Sequence, residues 1–275
     1  MSSLPQSPRV LTVANQKGGV GKTTTAINLG TALAAIGERV LVIDLDPQGN
    51  ASTGLGIDRK VREFTTYDVL CGDCTLEEAI IGTAVPRLSL APSNMDLLGV
   101  ELEISGAADR TFRLRNAISG LAKAAERGAI EGYSYVLVDC PPSLNLLTIN
   151  ALSASHSILV PLQCEFFALE GLSQLLSTVE QVKQSLNEEL SIHGIVLTMY
   201  DSRNNLSAQV VQDVRETMGD AVYDTVIPRN VRVSEAPSHG KPALLYDLKC
   251  SGSQAYLRLA SEIIQRERDL RTVAV

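Results

Sequence analysis

The sequence predicts an α/β fold: a single domain with a mostly parallel, twisted sheet flanked by helices on both faces. Three observations carry that expectation. Short β-branched runs recur along the chain, and several are apolar almost without interruption, as parallel strands buried on both faces require. Segments of helical periodicity lie between them, and strands alternating with helices build a parallel sheet covered on both sides. No internal repeat, linker or low-complexity block breaks the series.

The strand runs fall at residues 9–15, 39–46, 87–92, 133–140, 156–162, 193–200 and 222–228. A helix is expected over 22–36, stopped by Gly37, and a closing helix over 251–268. Over 168–187, Leu169, Leu172, Leu176, Val179, Val182 and Leu186 recur near the helical period and define one apolar face. Residues 1–8 read as a flexible tail without the apolar stretch of a secretory signal, leaving 9–270 as the folded domain.

Composition narrows the function classes. Apolar residues make up 45% of the 275 and charged residues 20%, a globular balance able to bury a large core. No run reaches the roughly 18 apolar residues of a membrane span. Five cysteines at irregular spacing form no disulfide framework, which points to a reducing, cytoplasmic setting. The net charge, 24 − 31 = −7, argues against a broadly basic nucleic-acid-coating surface and leaves room for a small local patch.

Ligands of such sheets bind at the carboxyl ends of the strands. The first run, "VLTVAN", leads directly into "QKGGVGKTTTAINLGTALAAIG". Gly18, Gly19 and Gly21 allow backbone N–H groups around Val20 to turn towards phosphate oxygens, and the helix opening near Lys22 aims its positive end at the same place. Lys22 suits the β- and γ-phosphates, and the Thr23 hydroxyl, followed by Thr24, suits a magnesium ion. One feature departs from the ordinary loop: Gln16 stands where a glycine is usual, and a second lysine, Lys17, follows it.

Two other strand ends carry acids. "YVLVDCPP" places Asp139 after four apolar residues, the position of a carboxylate that holds a metal-bound water. "LVIDLDPQGN" offers Asp44 and Asp46, expected on opposite sides of the strand end. Asp44 is favoured as the group that orients or activates an attacking water, with Asp46 supporting the loop.

Taken together, "KGGVGKTT", "LVIDLDPQGNAS" and "VLVDCPPS" resemble the deviant Walker A, or ParA/MinD, P-loop NTPases, and "VIPRNVRVSEAPSHGKP" resembles the ParA/Soj partitioning branch. The likeness runs from about residue 9 to 265. The short N-terminus resembles the chromosomal type rather than plasmid relatives that carry a helix-turn-helix extension. The resemblance implies an ATPase using ATP and Mg²⁺, with Lys17 reaching across a homodimer to the partner's phosphates in the manner of an arginine finger. It implies that Pro228 and Asn230 lie near the adenine, and that Arg203 and Arg232 contact double-stranded DNA without sequence preference. It further implies a nucleoid-associated protein whose slow hydrolysis is stimulated by a ParB-type centromere-binding partner.

Two other classes compete. A MinD-like positioning ATPase would attach to membranes by a C-terminal amphipathic helix, but "SEIIQRERDLRTVAV" offers Ile263, Ile264 and Leu270 without a sustained apolar face or aromatic anchor, and no stable membrane association is expected. A redox or metabolic enzyme could use the same loop. The lone "CGDC" pair, Cys71 and Cys74, has neither a second pair nor a neighbouring histidine, and reads as structural. His156, His193 and His239 are scattered, with no nucleophile–base pattern.

Overall fold

All seven apolar runs become strands in the computed structural model, which describes residues 7–273. They are β1 (Arg9–Val13), β2 (Val40–Asp44), β4 (Leu88–Ala91), β5 (Tyr135–Asp139), β6 (Ser157–Gln163), β7 (Ser191–Tyr200) and β8 (Val222–Pro228). An eighth, β3 (Ile81–Gly82), is a two-residue edge strand that pairs antiparallel with β4. The sheet order is β3-β4-β2-β5-β1-β6-β7-β8, and every pairing except β3–β4 is parallel.

Six longer helices cover it: α1 (Lys22–Ala35), α2 (Arg113–Glu126), α3 (Leu146–Ala154), α4 (Ala168–Ser185), α5 (Asn205–Met218) and α6 (Ser251–Val273). Strand alternation divides their work. Leu41, Ile43, Val136 and Val138 face a core shared with α2, α3, α4 and α5, whereas Val40, Val42, Leu11 and Leu137 face a second core shared with α1 and α6. The helix foreseen over 168–187 ends at Ser185 and buries Leu172, Leu175, Val179 and Val182, with Leu169, Leu176 and Leu186 at the margin of that face. The closing helix, expected to end at 268, extends to Val273, and Pro8 is already buried. Of the rest of the expected tail, Ser7 is exposed and residues 1–6 lie outside the described residues.

A buried polar cluster ties α6 to the base of the sheet. Arg9 Nε donates to Glu267 Oε1 at 2.7 Å, and His193 meets the Tyr223 hydroxyl through Nδ1. His193 Nε2 lies 2.9 Å from Glu267 Oε1. At the opposite, carboxyl end, strand register sets Val13 beside Asp139 and Asp139 beside Asp44. The three informative loops therefore open from adjacent central strands.

Candidate nucleotide site

The glycine-rich loop is held from both sides. Asn15, two residues past β1 at the start of the loop, donates from Nδ2 to the Pro161 carbonyl at 2.8 Å and accepts the Lys17 amide on Oδ1 at 3.0 Å. Thr198 on β7 donates to the Val20 carbonyl at 2.8 Å. Between these anchors Gly19 and Gly21 adopt φ of 77° and 92°, left-handed values that side chains disfavour. A Cβ on Gly18 or Gly19 would project into open space, so the loop's mouth is clear for an incoming phosphate. Gly21 then caps α1, whose first amides face that mouth.

The two lysines take different directions. Lys22 is buried and its Nζ donates to the Lys17 carbonyl at 2.9 Å, spanning the loop. Burial lowers its pKa, and the negative field of Asp139 is the largest opposing influence. The Lys17 side chain, 39% exposed, turns away to the site's rim and pairs with Glu165 just beyond β6.

The acids differ as sharply. Asp44 is fully buried; its Oδ2 accepts from the Ser52 amide at 2.8 Å and the Ser52 hydroxyl at 2.7 Å. Its Oδ1 accepts only a longer bond, 3.2 Å, from the Asp46 amide. Burial pushes its pKa up to about 6 against the pull of Ser52. Asp139 is equally buried and neither carboxylate oxygen has a hydrogen-bond partner. Burial, then repulsion from Asp44, drives its pKa well above the usual range; Thr23 and Lys22 act the other way. A buried carboxylate with both oxygens unclaimed, next to a hydroxyl and at the mouth of a phosphate loop, fits a divalent cation.

Asp44 and Asp46 do not face opposite sides. Residues two apart on an extended chain share a face, and Asp46 lies close enough to raise the carboxyls of both Asp44 and Asp139. Asp46 also supports its loop: its side chain accepts the Gln48 amide at 2.9 Å and its carbonyl accepts the Ser93 hydroxyl at 2.6 Å.

A small pocket beside the loop gathers Gly21 and Thr24 with Thr198, Met199, Pro228, Asn230 and Tyr256. Met199 holds φ at 53°, a strained value for a residue with a side chain. Pro228 and Asn230 thus stand next to the phosphate loop. The Asn230 side chain is already engaged at both ends, capping the helix Val231–Glu235 through the Arg232 amide (2.8 Å) and donating to Ser251 Oγ (2.9 Å). It shapes the pocket wall rather than offering a free amide edge.

Both expected DNA-contacting arginines are exposed and carry acidic partners. Arg203, 86% exposed, grips Asp201 with Nε and Nη2 at 2.9 and 2.8 Å. Arg232 pairs with Glu235 at 2.7 Å and lies 3.7 Å from Asp247. Parallel pairing of Tyr200 with Pro228 brings their loops together, and Arg229 sits between them. The Asp201 carboxyl is lowered to about 2, chiefly by Arg203, with a smaller contribution from Arg229. Asn15, Ser52 and Glu165 had drawn no attention in the sequence. Their one legible signal was position at a strand end or helix start.

Elsewhere, Cys71 and Cys74 sit around the end of a short helix, Thr66–Cys71, where burial raises both thiols, Cys74 to about 11. Neither is a poised thiolate. Ile263 is fully buried against the sheet, which removes it from any membrane-facing stripe. No helix among the described residues is long and apolar enough to cross a membrane.

A parallel sheet whose first strand runs through a glycine-rich loop into a helix, with acids at two neighbouring strand ends, defines a P-loop nucleotide-binding protein. A family model described as an AAA domain matches residues 8–192. The chromosome partitioning protein ParA of Caulobacter vibrioides (strain NA1000 / CB15N) is 63% identical over 266 residues, 97% of each chain. The sporulation initiation inhibitor protein Soj of Bacillus subtilis (strain 168) is 50% identical over 93% of this chain and 98% of its own. Among solved structures, a cobyrinic acid a,c-diamide synthase from Mycobacterium smegmatis with bound ADP and magnesium superposes with a TM-score of 0.81 at 37% identity, covering 95% and 96% of the two chains. The cell division ATPase MinD of Pyrococcus furiosus gives 0.75 at 29% identity, covering 94% and 98%. The chain belongs to the ParA/Soj family of chromosome-partitioning ATPases within the wider ParA/MinD group.

Proposed function

We propose that the chain is an ATP-driven dimerising switch for DNA segregation. ATP joins two copies into a sandwich dimer, the dimer binds double-stranded DNA without sequence preference, and a ParB-type centromere-binding partner stimulates hydrolysis and release. The observation that carries this reading is the division between the two lysines. Lys22 is buried and spans its own loop, whereas Lys17 stands at the rim with 39% of its side chain exposed. A rim cation is placed to neutralise phosphate charge on a second subunit; a buried one serves its own.

Residues 17–24 would cradle the phosphates, with the Pro228–Asn230 turn beside the base. Thr23 and Asp139 would hold Mg²⁺, which supplies positive charge against the phosphoryl oxygens. Asp44 would orient the attacking water through Oδ1, the less engaged of its two oxygens, while Ser52 fixes Oδ2. Arg203 and Arg232, with Arg229 between their loops, would meet DNA phosphates, and that contact would put the protein on the nucleoid.

Light scattering with ATP, with ADP and without nucleotide tests the switch. The expected result is a doubled mass with ATP alone. A monomer in all three conditions contradicts the proposal.

A further inference from the structure

One guanidinium lies against the loop that carries Asp44 and Asp46. Arg62 follows a single turn of helix, Arg59–Val61, and is half-buried. Its Nη1 donates to the Ser93 carbonyl at 2.8 Å, and its Nη2 donates to Thr53 Oγ1 at 3.0 Å and to the Ile57 carbonyl at 2.8 Å. These acceptors are all neutral. Its Nε is buried with no hydrogen-bond partner among the described residues. Gly49 lies so close that a Cβ there would sit 2.6 Å from Nη1. Burial lowers the arginine's pKa, and the field of Asp44 is the largest influence opposing it. Such a placement costs desolvation that neutral acceptors return only in part.

What the guanidinium touches leads to Asp44. Ser52 precedes Thr53 in the short helix Asn50–Gly54, and its hydroxyl works in both directions. It donates to Asp44 Oδ2 at 2.7 Å and accepts the Ser93 amide at 3.1 Å. The Ser93 hydroxyl in turn donates to the Asp46 carbonyl at 2.6 Å. Asp44, Ser52 and Ser93 are fully buried, and Arg62 reaches their neighbours from the surface side. It bridges the two sides of this ring, Thr53 on one and Ser93 on the other. With Ser52 held against Ser93 and Oδ2 held by Ser52, Oδ1 is the oxygen that Asp44 presents to the site.

We propose that Arg62 is a positioning residue for ATP hydrolysis: its fork clamps Thr53 to Ser93 and so holds Ser52 and the Asp44 carboxylate in the orientation that aligns the attacking water. The inference rests on the reading of Asp44 as the water-orienting group. Arginine suits the task because its planar fork makes contacts in fixed directions, whereas a lysine ammonium is a rotatable point charge. None of the clamp's bonds involves the phosphate loop of residues 17–24, so nucleotide affinity and dimerisation should not depend on it.

Hydrolysis of radiolabelled ATP by the full chain, with Arg62→Ala introduced into the wild-type and the Asp44→Ala backgrounds, tests the clamp. In the wild-type background kcat should fall about tenfold or more, with KM for ATP within about twofold and the ATP-dependent mass in light scattering unchanged. In the Asp44→Ala background the residual rate should fall no further, because the effect of Arg62 passes through that carboxylate. Arg62→Lys should stay slow. Thr53→Val removes one end of the clamp at an exposed position and should lower kcat by a smaller factor, which decides the matter if Arg62→Ala does not fold. A wild-type kcat in Arg62→Ala, Arg62→Lys or Thr53→Val overturns the proposal. A raised KM with kcat unchanged, or an equal loss of rate in both backgrounds, also overturns it. Normal turnover in Asp44→Ala would instead remove the reading of Asp44, and the clamp's role would fall with it.

Discussion

Replacing Asp139 with asparagine should stabilise the ligand-free protein and silence the ligand-bound one. Asp139 is fully buried, neither carboxylate oxygen is bonded, and Asp44 faces it across the strand pair. A buried unsatisfied polar atom costs about 1–3 kcal/mol, and more when charged. Asparagine keeps the volume and part of the unmet hydrogen bonding but removes the charge and the repulsion. The expected gain is therefore about 1–3 kcal/mol. With an unfolding entropy of about 2.1 cal/mol/K per residue, 275 residues give roughly 0.6 kcal/mol/K, so Tm should rise by about 2–5 °C. The assay is thermal unfolding in chelator without nucleotide, then with saturating ATP and increasing Mg²⁺. Wild type should gain about 2.7 kcal/mol at a hundredfold excess over Kd, and the Asp139→Asn variant should lose the magnesium-dependent part. A variant that melts below wild type without ligand, or responds fully to magnesium, refutes the reasoning.

Five further substitutions follow from the same geometry. Lys17→Ala should leave nucleotide bound to a monomer, and light scattering that still shows a full ATP dimer would remove its role across subunits. Asp44→Ala should bind ATP and dimerise but lose hydrolysis by about a hundredfold or more; normal turnover would move the role, with Asp46 next in line. Arg232→Ala should weaken binding to all duplex sequences alike and flatten the log K against log salt slope by up to about one unit, less if Glu235 already holds the guanidinium. Arg229→Ala provides the comparison, and wild-type affinity and slope in both variants would exclude this surface. Glu267→Gln should cost about 3 kcal/mol at pH 7, measured by urea unfolding, because Arg9 loses its buried partner. Burial alone would raise the Glu267 carboxyl, but His193 and Arg9 outweigh it and hold it below the ordinary range. Its stabilisation is thus complete above the usual carboxylate pKa and lost as pH falls through the lowered folded value. The variant and wild type should converge in that acid range, and equal stability at pH 7 would sink the assignment.

Periodicity carried the sheet because parallel strands buried on two faces leave almost unbroken apolar runs, such as "VLVIDLD" and "YVLVDC". It failed at β3, where two residues at an antiparallel edge make no pattern. It also passed over α5, whose buried face is only Ser207, Val210 and Val214. The glycine loop and the acids were legible because phosphate and metal chemistry fix residue types at short spacing. Long-range partners were not. Lys17 and Glu165 are 148 positions apart, and Asn15 meets Pro161 only through the β1–β6 pairing. The Asn230 side chain also donates to Ser251, 21 positions away, a contact that no local motif announces. The opposite-face expectation for Asp44 and Asp46 was an error of strand geometry rather than missing information.

Duplex DNA binding by the intact protein, measured with ATP, with ADP and with no nucleotide, bears most directly on the claim that nucleotide state controls DNA. Binding that appears with ATP alone, falls steeply with salt and disappears in Lys17→Ala is the predicted result. Equal affinity in all three nucleotide conditions, or no binding in any, would contradict it.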